Sequence, residues 1–248
     1  MINSIVTGTG RCGTTYLAKL LTSMSYPCGH ESIFNYEDEN AIKNRLLKSD
    51  YTLSICSQST LNIRYDPNKK DWIKLDEIIA DSSYMAAPYL NWKELEKIKI
   101  IHVYRNPLDV IRSFLNDIKY FSQKTPNNSN IFNELGYENK IYNILPELSE
   151  IDNSLERACY YYIEWNKMIK NNCTNKEVLT IKIEDKEKDK KIIDFLGISC
   201  VENKFFNNTK ENTFFTRKSK IKIQDIPNGK IKNDFIDLLC EKKYAIKY

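Results

Sequence analysis

Residues 8–15 read GTGRCGTT. Gly8 and Gly13 have four residues between them, the glycine spacing of a phosphate-binding loop, but Thr14 occupies the place of the lysine that such a loop carries next. The same stretch spells G-x-G-x-x-G through Gly8, Gly10 and Gly13, the dinucleotide fingerprint. Upstream, Ser4 to Thr7 follow Ile2 as a short apolar run that stops at glycine, as a buried strand does. Downstream, residues 14–25, TTYLAKLLTSMS, carry Leu17, Leu20, Leu21 and Met24 at helical spacing. Strand, glycine loop and helix in that order give the loop backbone N–H groups and a helix N-terminus, which together hold an anion.

Three ligands compete for such a loop. A dinucleotide site needs an acid about 20 residues on for the ribose, and Glu31 stands near that distance. A triphosphatase needs the missing lysine and a hydroxyl for Mg²⁺. The third reading is an anion gripped by Arg11, Thr14, Thr15 and backbone amides without a metal.

The next strong strand is KIIHVY, residues 99–104. Asn106 is placed to cap the helix that follows, with Pro107 at its first position and Asp109 where a capping carboxylate belongs. Leu108, Ile111 and Leu115 read as that helix's buried face. A third strand, VLTIKI at 178–183, precedes a helix that Gly197 ends, and residues 154–170 read as a long helix rich in Tyr and Trp. Alternating strands and helices predict an α/β fold, a doubly wound parallel sheet of the P-loop NTPase-like kind with helices on both faces. Residues 1–248 read as one domain. The polar text after Asn116 reads as a lid or acceptor loop around 116–150, with some helix.

Arg105 ends the second strand and Ser113 follows eight residues on. Ligands of open α/β sheets bind outside the carboxyl ends of the strands, so Arg105 is expected on the edge that carries the glycine loop. Two anion grips on one edge suit a nucleotide phosphorylated at two places.

Composition fits this reading. At 42% hydrophobic and 28% charged residues, the chain is of ordinary globular type. The net charge of +4 suits an anionic small ligand and falls short of a nucleic-acid binder. The 7 cysteines, odd in number and lacking C-x-x-C or zinc spacing, read as reduced thiols. With no long apolar run and no basic-then-apolar leader before the first strand, no membrane span and a cytoplasmic location are expected.

Taken together, GTGRCGTTYLAKLL, VYRNPLDVIRSF and the later VLTIKIED…IIDFLGI resemble the sulfotransferases that use 3′-phosphoadenosine 5′-phosphosulfate (PAPS) and release 3′-phosphoadenosine 5′-phosphate (PAP). The resemblance touches roughly residues 5–31, 98–115 and 178–197. It implies that Gly10, Arg11, Cys12, Gly13, Thr14 and Thr15 hold the 5′-phosphosulfate, and that Arg105 and Ser113 hold the 3′-phosphate. Arginine at position 11 matches the branches that include the protein-tyrosine type; the cytosolic branch usually has lysine there, and serine is more usual at the position of Cys12. No metal is required on this reading, because a sulfuryl group carries less charge than a phosphoryl group and a fixed arginine can replace lysine and Mg²⁺.

An acceptor hydroxyl must lose its proton, and YPCGHESIF offers His30 and Glu31. A 12-residue helix runs about 18 Å away from the loop and a five- or six-residue strand returns about as far. His30 and Glu31 are therefore expected beside the loop. CGHES resembles the CGEET-like segment of tyrosylprotein sulfotransferases, whose second acid is the base; by position that is Glu31, with His30 as the alternative. Arg217 and Lys218 resemble a C-terminal basic motif that touches the 3′-phosphate, but Ser219 replaces its glycine, and a solvated basic turn explains them equally. Ser82 and Ser83 are candidates for facing the sulfuryl group or for capping a helix. Tyr160, Tyr161, Tyr162 and Trp165 are candidates for an acceptor pocket or for core, and His102 reads as structural.

The sequence thus predicts sulfuryl transfer from PAPS to a hydroxyl on a glycan, small molecule or peptide. The alternatives are a P-loop phosphotransferase acting on a nucleotide or sugar, marked by Mg²⁺-dependent ATP turnover, and a non-catalytic module that binds PAP without transfer.

Overall fold

The computed structural model describes residues 2–47, 65–66, 71–72, 78–126, 136–199 and 221–244. In chain order the elements are β1 (Ser4–Gly8), α1 (Thr14–Ser23), β2 (Cys28–His30), α2 (Glu39–Leu46), β3 (Ala80–Ser82), β4 (Lys99–Tyr104), α3 (Pro107–Arg112), α4 (Tyr137–Ile144), α5 (Ser154–Asn172), β5 (Val178–Lys182), α6 (Lys188–Leu196) and α7 (Lys230–Glu241). Tyr65–Asp66 and Asp71–Trp72 form a separate antiparallel pair. The chain divides into two compact units, Met1–Tyr104 with Ile169–Glu211 and Arg105–Met168 with Asn212–Tyr248.

The first unit holds a five-stranded sheet in the order β2-β3-β1-β4-β5, with every neighbouring pair parallel. It is the parallel α/β sheet flanked by helices that the sequence predicts. β1 sits at the centre with all five residues buried, as a strand covered on both faces requires. From β1 the chain passes to β2 on one side, and from β3 it crosses to β4 on the other. The carboxyl end of β1 is therefore a topological switch point, where sheets of this kind bind ligands. α1 packs against β1, β2 and β3, and α6 packs against β5. Leu17, Leu20, Leu21 and Met24, chosen from periodicity, all enter one cluster with Val6, Ile101, Val103, Ile181 and Ile192. Fully burying a leucine contributes about 1.5–3 kcal/mol, so this face fixes α1, and with it the loop that precedes α1.

The second unit is helical. The Asn106 side chain accepts from Leu108 N at 3.1 Å and Pro107 opens α3, as the sequence requires. The buried face differs from the expected one. Pro107, Val110, Ile111 and Phe114 are buried while Leu108 and Leu115 are half-buried, and the helix passes into a π turn at Ser113–Asp117. Ile111 belongs to both faces, and the observed face is the neighbouring i, i+3, i+4, i+7 set that begins at Pro107. Helix is also present between 116 and 150: α4 and the 3₁₀ turn Pro146–Ser149 bury Tyr137, Ile141, Tyr142 and Leu148. Phe114 and Phe121 pack on Tyr161, and Tyr161 on Trp165. Tyr161, Tyr162 and Trp165 are thus core; Tyr160 is half-buried.

Candidate active site

Where β1 ends, the chain turns through residues 9–13 into α1 with no room for ordinary side chains at two glycines. A Cβ on Gly8 would lie 2.4 Å from Val103 O on the neighbouring strand and 2.6 Å from Cys12 Sγ. Gly13 has φ +107° and its Cβ would meet Ile183 at 2.9 Å. These glycines let the loop fold tightly over the end of the sheet. Arg11, half-buried, adopts φ 67°. A non-glycine residue held there stores about 1–3 kcal/mol of strain, and such strain clusters at functional sites. Cys12 is fully buried and its N–H donates to Thr9 O at 3.3 Å. Its thiol points into the core cluster, so the position taken by serine elsewhere is filled here by an apolar packing group.

β2 returns beside the loop, as helix length predicted, although it is only three residues long and lies at the sheet edge. His30 Nε2 lies 3.3 Å from Thr14 Oγ1 and 3.1 Å from Thr15 Oγ1. Glu31 follows with φ 51°, the second strained residue of the site, and its Oε1 is 3.8 Å from His30 Nε2. Both side chains are largely buried, at 7% and 8% residue exposure. Burial holds the His30 imidazole down to about 4, so the ring is neutral at pH 7.

The turn that presents Glu31 hangs on one carboxylate. Asp81, at the centre of β3, accepts the backbone N–H of Ser32 at 3.0 Å through Oδ1, and those of Ile33 and Phe34 at 3.1 and 3.0 Å through Oδ2. Burial pushes the Asp81 carboxyl up; the three N–H donors and the nearby His30 bring it only part of the way back. Gly29 leaves space for this arrangement, since a Cβ there would sit 2.5 Å from Ser32 Oγ and 3.0 Å from Asp81 Oδ1. Arg45 of α2 donates to Ile33 O at 3.3 Å and pairs with Glu37, closing the far end of the turn.

The two candidate serines have structural partners. Ser82 Oγ donates to Thr14 O at 2.8 Å, tying β3 to the first turn of α1. Ser83 Oγ donates to Phe34 O at 2.6 Å and caps the 3₁₀ turn Tyr84–Tyr89 by accepting from Met85 N.

The first unit therefore brings together Gly10, Arg11, Cys12, Gly13, Thr14, Thr15, His30 and Glu31. Asp81 is the residue that sequence reasoning missed. Arg105 follows the last residue of β4 and belongs to the second unit, where its carbonyl accepts from Tyr162 Oη at 3.3 Å. Ser113, 3% exposed, begins the π turn of that unit. Arg217 and Lys218 lie outside the described residues. His102 is buried in β4 and packs on Tyr104 with ring centres 4.2 Å apart. No group of side chains suited to a metal ion occurs among the described residues, and no described helix is long and apolar enough to cross a membrane.

A glycine loop at the switch point of a parallel sheet, followed by a helix, is where α/β folds bind anionic ligands. The chain belongs to the sulfotransferase domain family, whose sequence profile matches residues 2–235. It is therefore a transferase that moves a sulfuryl group. A solved structure described as "Sulfotransferase Domain from the Curacin Biosynthetic Pathway" shares the fold: the match covers 100% of this chain and 99% of that one, with a TM-score of 0.51 and 14% identity. No curated protein matches the chain.

Proposed function

We propose that the protein transfers the sulfuryl group of PAPS to a hydroxyl acceptor, with the whole chain acting as one sulfotransferase domain. The observation that carries this reading is the meeting of Thr14 and Thr15 with the His30–Glu31 turn at the carboxyl end of the sheet. The donor set fits the nucleotide's 5′ group. The glycines let the loop backbone fold closely over the end of the sheet, two threonine hydroxyls stand at the start of the helix that follows, and Arg11 supplies charge. Backbone amides and the start of α1 neutralise the negative charge that builds on the 5′-phosphate oxygen as its bond to sulfur breaks. Arg11 does the same with a full charge. Arg105 and Ser113 take the 3′-phosphate, as the family resemblance implies.

Glu31 takes the acceptor's proton as the new oxygen–sulfur bond forms. A histidine held near 4 is a poor proton acceptor at neutral pH, which supports Glu31 over its neighbour in that role. Neither donor nor acceptor step calls for a metal.

The experiment is transfer of labelled sulfuryl from PAPS across a panel of glycan, small-molecule and peptide hydroxyls, followed by comparison of variants on the best acceptor. Glu31→Gln keeps shape and removes the base, so turnover should fall roughly 10²–10⁴-fold while PAP affinity survives. A nearly active Glu31→Gln would remove Glu31 from the mechanism.

A further inference from the structure

His30 is too buried and too weakly basic to be a good proton acceptor, yet its Nε2 sits between two hydroxyls of the anion loop. The other ring nitrogen, Nδ1, is buried with no hydrogen-bond partner. A neutral imidazole carries one proton, and its position decides what the threonines can do. With the proton on Nδ1, a buried N–H donor would be orphaned, which is the more severely avoided kind of unpaired group. The single lone pair on Nε2 could then accept from only one of Thr14 and Thr15, and that hydroxyl's proton would turn away from the loop. With the proton on Nε2, it is shared between Thr15 at 3.1 Å and Thr14 at 3.3 Å. Nδ1 then keeps only a lone pair. The Glu31 carboxylate, 3.8 Å from Nε2, favours the proton on that side.

We infer that His30 is a positioning residue which, as the Nε2–H tautomer, donates to Thr14 and Thr15 and so frees both threonine hydroxyl protons to point at the bound 5′-phosphosulfate. The inference rests on the PAPS reading of the loop and deepens it. It separates the two neighbours by role: Glu31 handles the acceptor's proton, and His30 sets the direction of two donors on the nucleotide. The scaffold suits this. Ser82 Oγ holds the Thr14 carbonyl and Ser82 O accepts the Glu31 N–H at 3.2 Å, so β3 fixes both sides of the contact.

The chain has 2 histidines, His30 and His102, so ring-¹⁵N spectra of the intact protein are readable once His30→Gln has assigned the signals. The expected spectrum at pH 7 shows His30 neutral, with Nε2 protonated and Nδ1 bare, and Thr15→Val shifts the Nε2 resonance. A second measurement compares PAP with adenosine 3′-phosphate, which lacks the 5′ group. His30→Gln places an amide N–H near the Nε2 position and should keep PAP affinity within about threefold, whereas His30→Leu should weaken PAP by roughly tenfold or more. Neither variant should move adenosine 3′-phosphate by more than about twofold. An Nδ1–H tautomer, a charged ring at pH 7, or a His30→Leu protein that loses both ligands equally overturns the inference while leaving the PAPS reading intact. A wild-type protein that binds PAP no better than adenosine 3′-phosphate overturns the PAPS reading itself, and with it the direction assigned to the threonine protons.

Discussion

Replacing Asp81 tests whether one buried carboxylate holds the turn that carries Glu31. Asp81→Ala leaves three buried N–H groups, those of Ser32, Ile33 and Phe34, without their acceptor. Each orphaned donor costs about 1–3 kcal/mol, and some will relax, so a total loss of at least ~3 kcal/mol is expected. Asp81→Asn is milder for a geometric reason. Its amide oxygen can replace Oδ2 and keep the Ile33 and Phe34 bonds, which leaves its NH₂ against the Ser32 N–H. One lost bond is partly offset, because the neutral amide is spared the burial that raises the Asp81 carboxyl. The expected cost is about 1–2 kcal/mol. Urea unfolding with linear extrapolation reads both values. In the folded Asn variant, turnover should fall more than PAP affinity, since the lost bond is at Ser32, next to Glu31, whereas His30 and its contacts to Thr14 and Thr15 are held in β2. Equal losses for Ala and Asn, or an Ala variant within about 0.5 kcal/mol of wild type, would refute the reasoning.

Gly8→Ala drives a Cβ to 2.4 Å from the immobile Val103 carbonyl, so a loss near the upper end of the usual 1–3 kcal/mol for overpacking is expected, about 3 kcal/mol, in urea unfolding. Gly197→Ala meets nothing within 4 Å and adds only the left-handed strain at φ +69°, about 1 kcal/mol. Acid should weaken the fold through His30. Burial lowers it from the ordinary histidine value of 6.5 to about 4, so its contribution is present above the unfolded value and is lost as pH falls through this window. The loss amounts to roughly 3 kcal/mol by pH 4. Asp81 acts in the opposite sense, because its raised carboxyl gains by protonation in acid. Comparing pH 7 with pH 4 in wild type and His30→Gln isolates the histidine, and an unchanged acid loss in the variant would refute the assignment.

Long, strongly patterned elements were legible in the sequence. The four leucine and methionine positions of α1, the apolar run of β4 and the Asn106–Pro107 helix start each carry a local signal that tertiary packing reinforces. Helix length also predicted the return of His30 to the loop. β2 and β3 were less legible, because three residues cannot show an alternation. Asp81 was missed for the same reason, and because its partners lie 47 to 49 residues away in sequence. Ser82 and Ser83 were singled out, but a serine at a strand end reads alike whether it faces a ligand or a carbonyl. The structure supplies a carbonyl partner for each. The buried face Pro107, Val110, Ile111 and Phe114 has the same i, i+3, i+4, i+7 spacing as a helix face should, so periodicity alone could not choose between it and Leu108–Ile111–Leu115.

The central claim is that this protein holds a nucleotide phosphorylated at both the 5′ and the 3′ positions. Calorimetric titration of the intact chain with PAP and with 5′-AMP tests it most directly. A charge-assisted contact contributes roughly 1.5–3 kcal/mol, so PAP should bind at least about tenfold more tightly than 5′-AMP, and Arg105→Ala should remove that preference while sparing 5′-AMP. Equal binding of PAP and 5′-AMP by the wild-type protein would contradict the account.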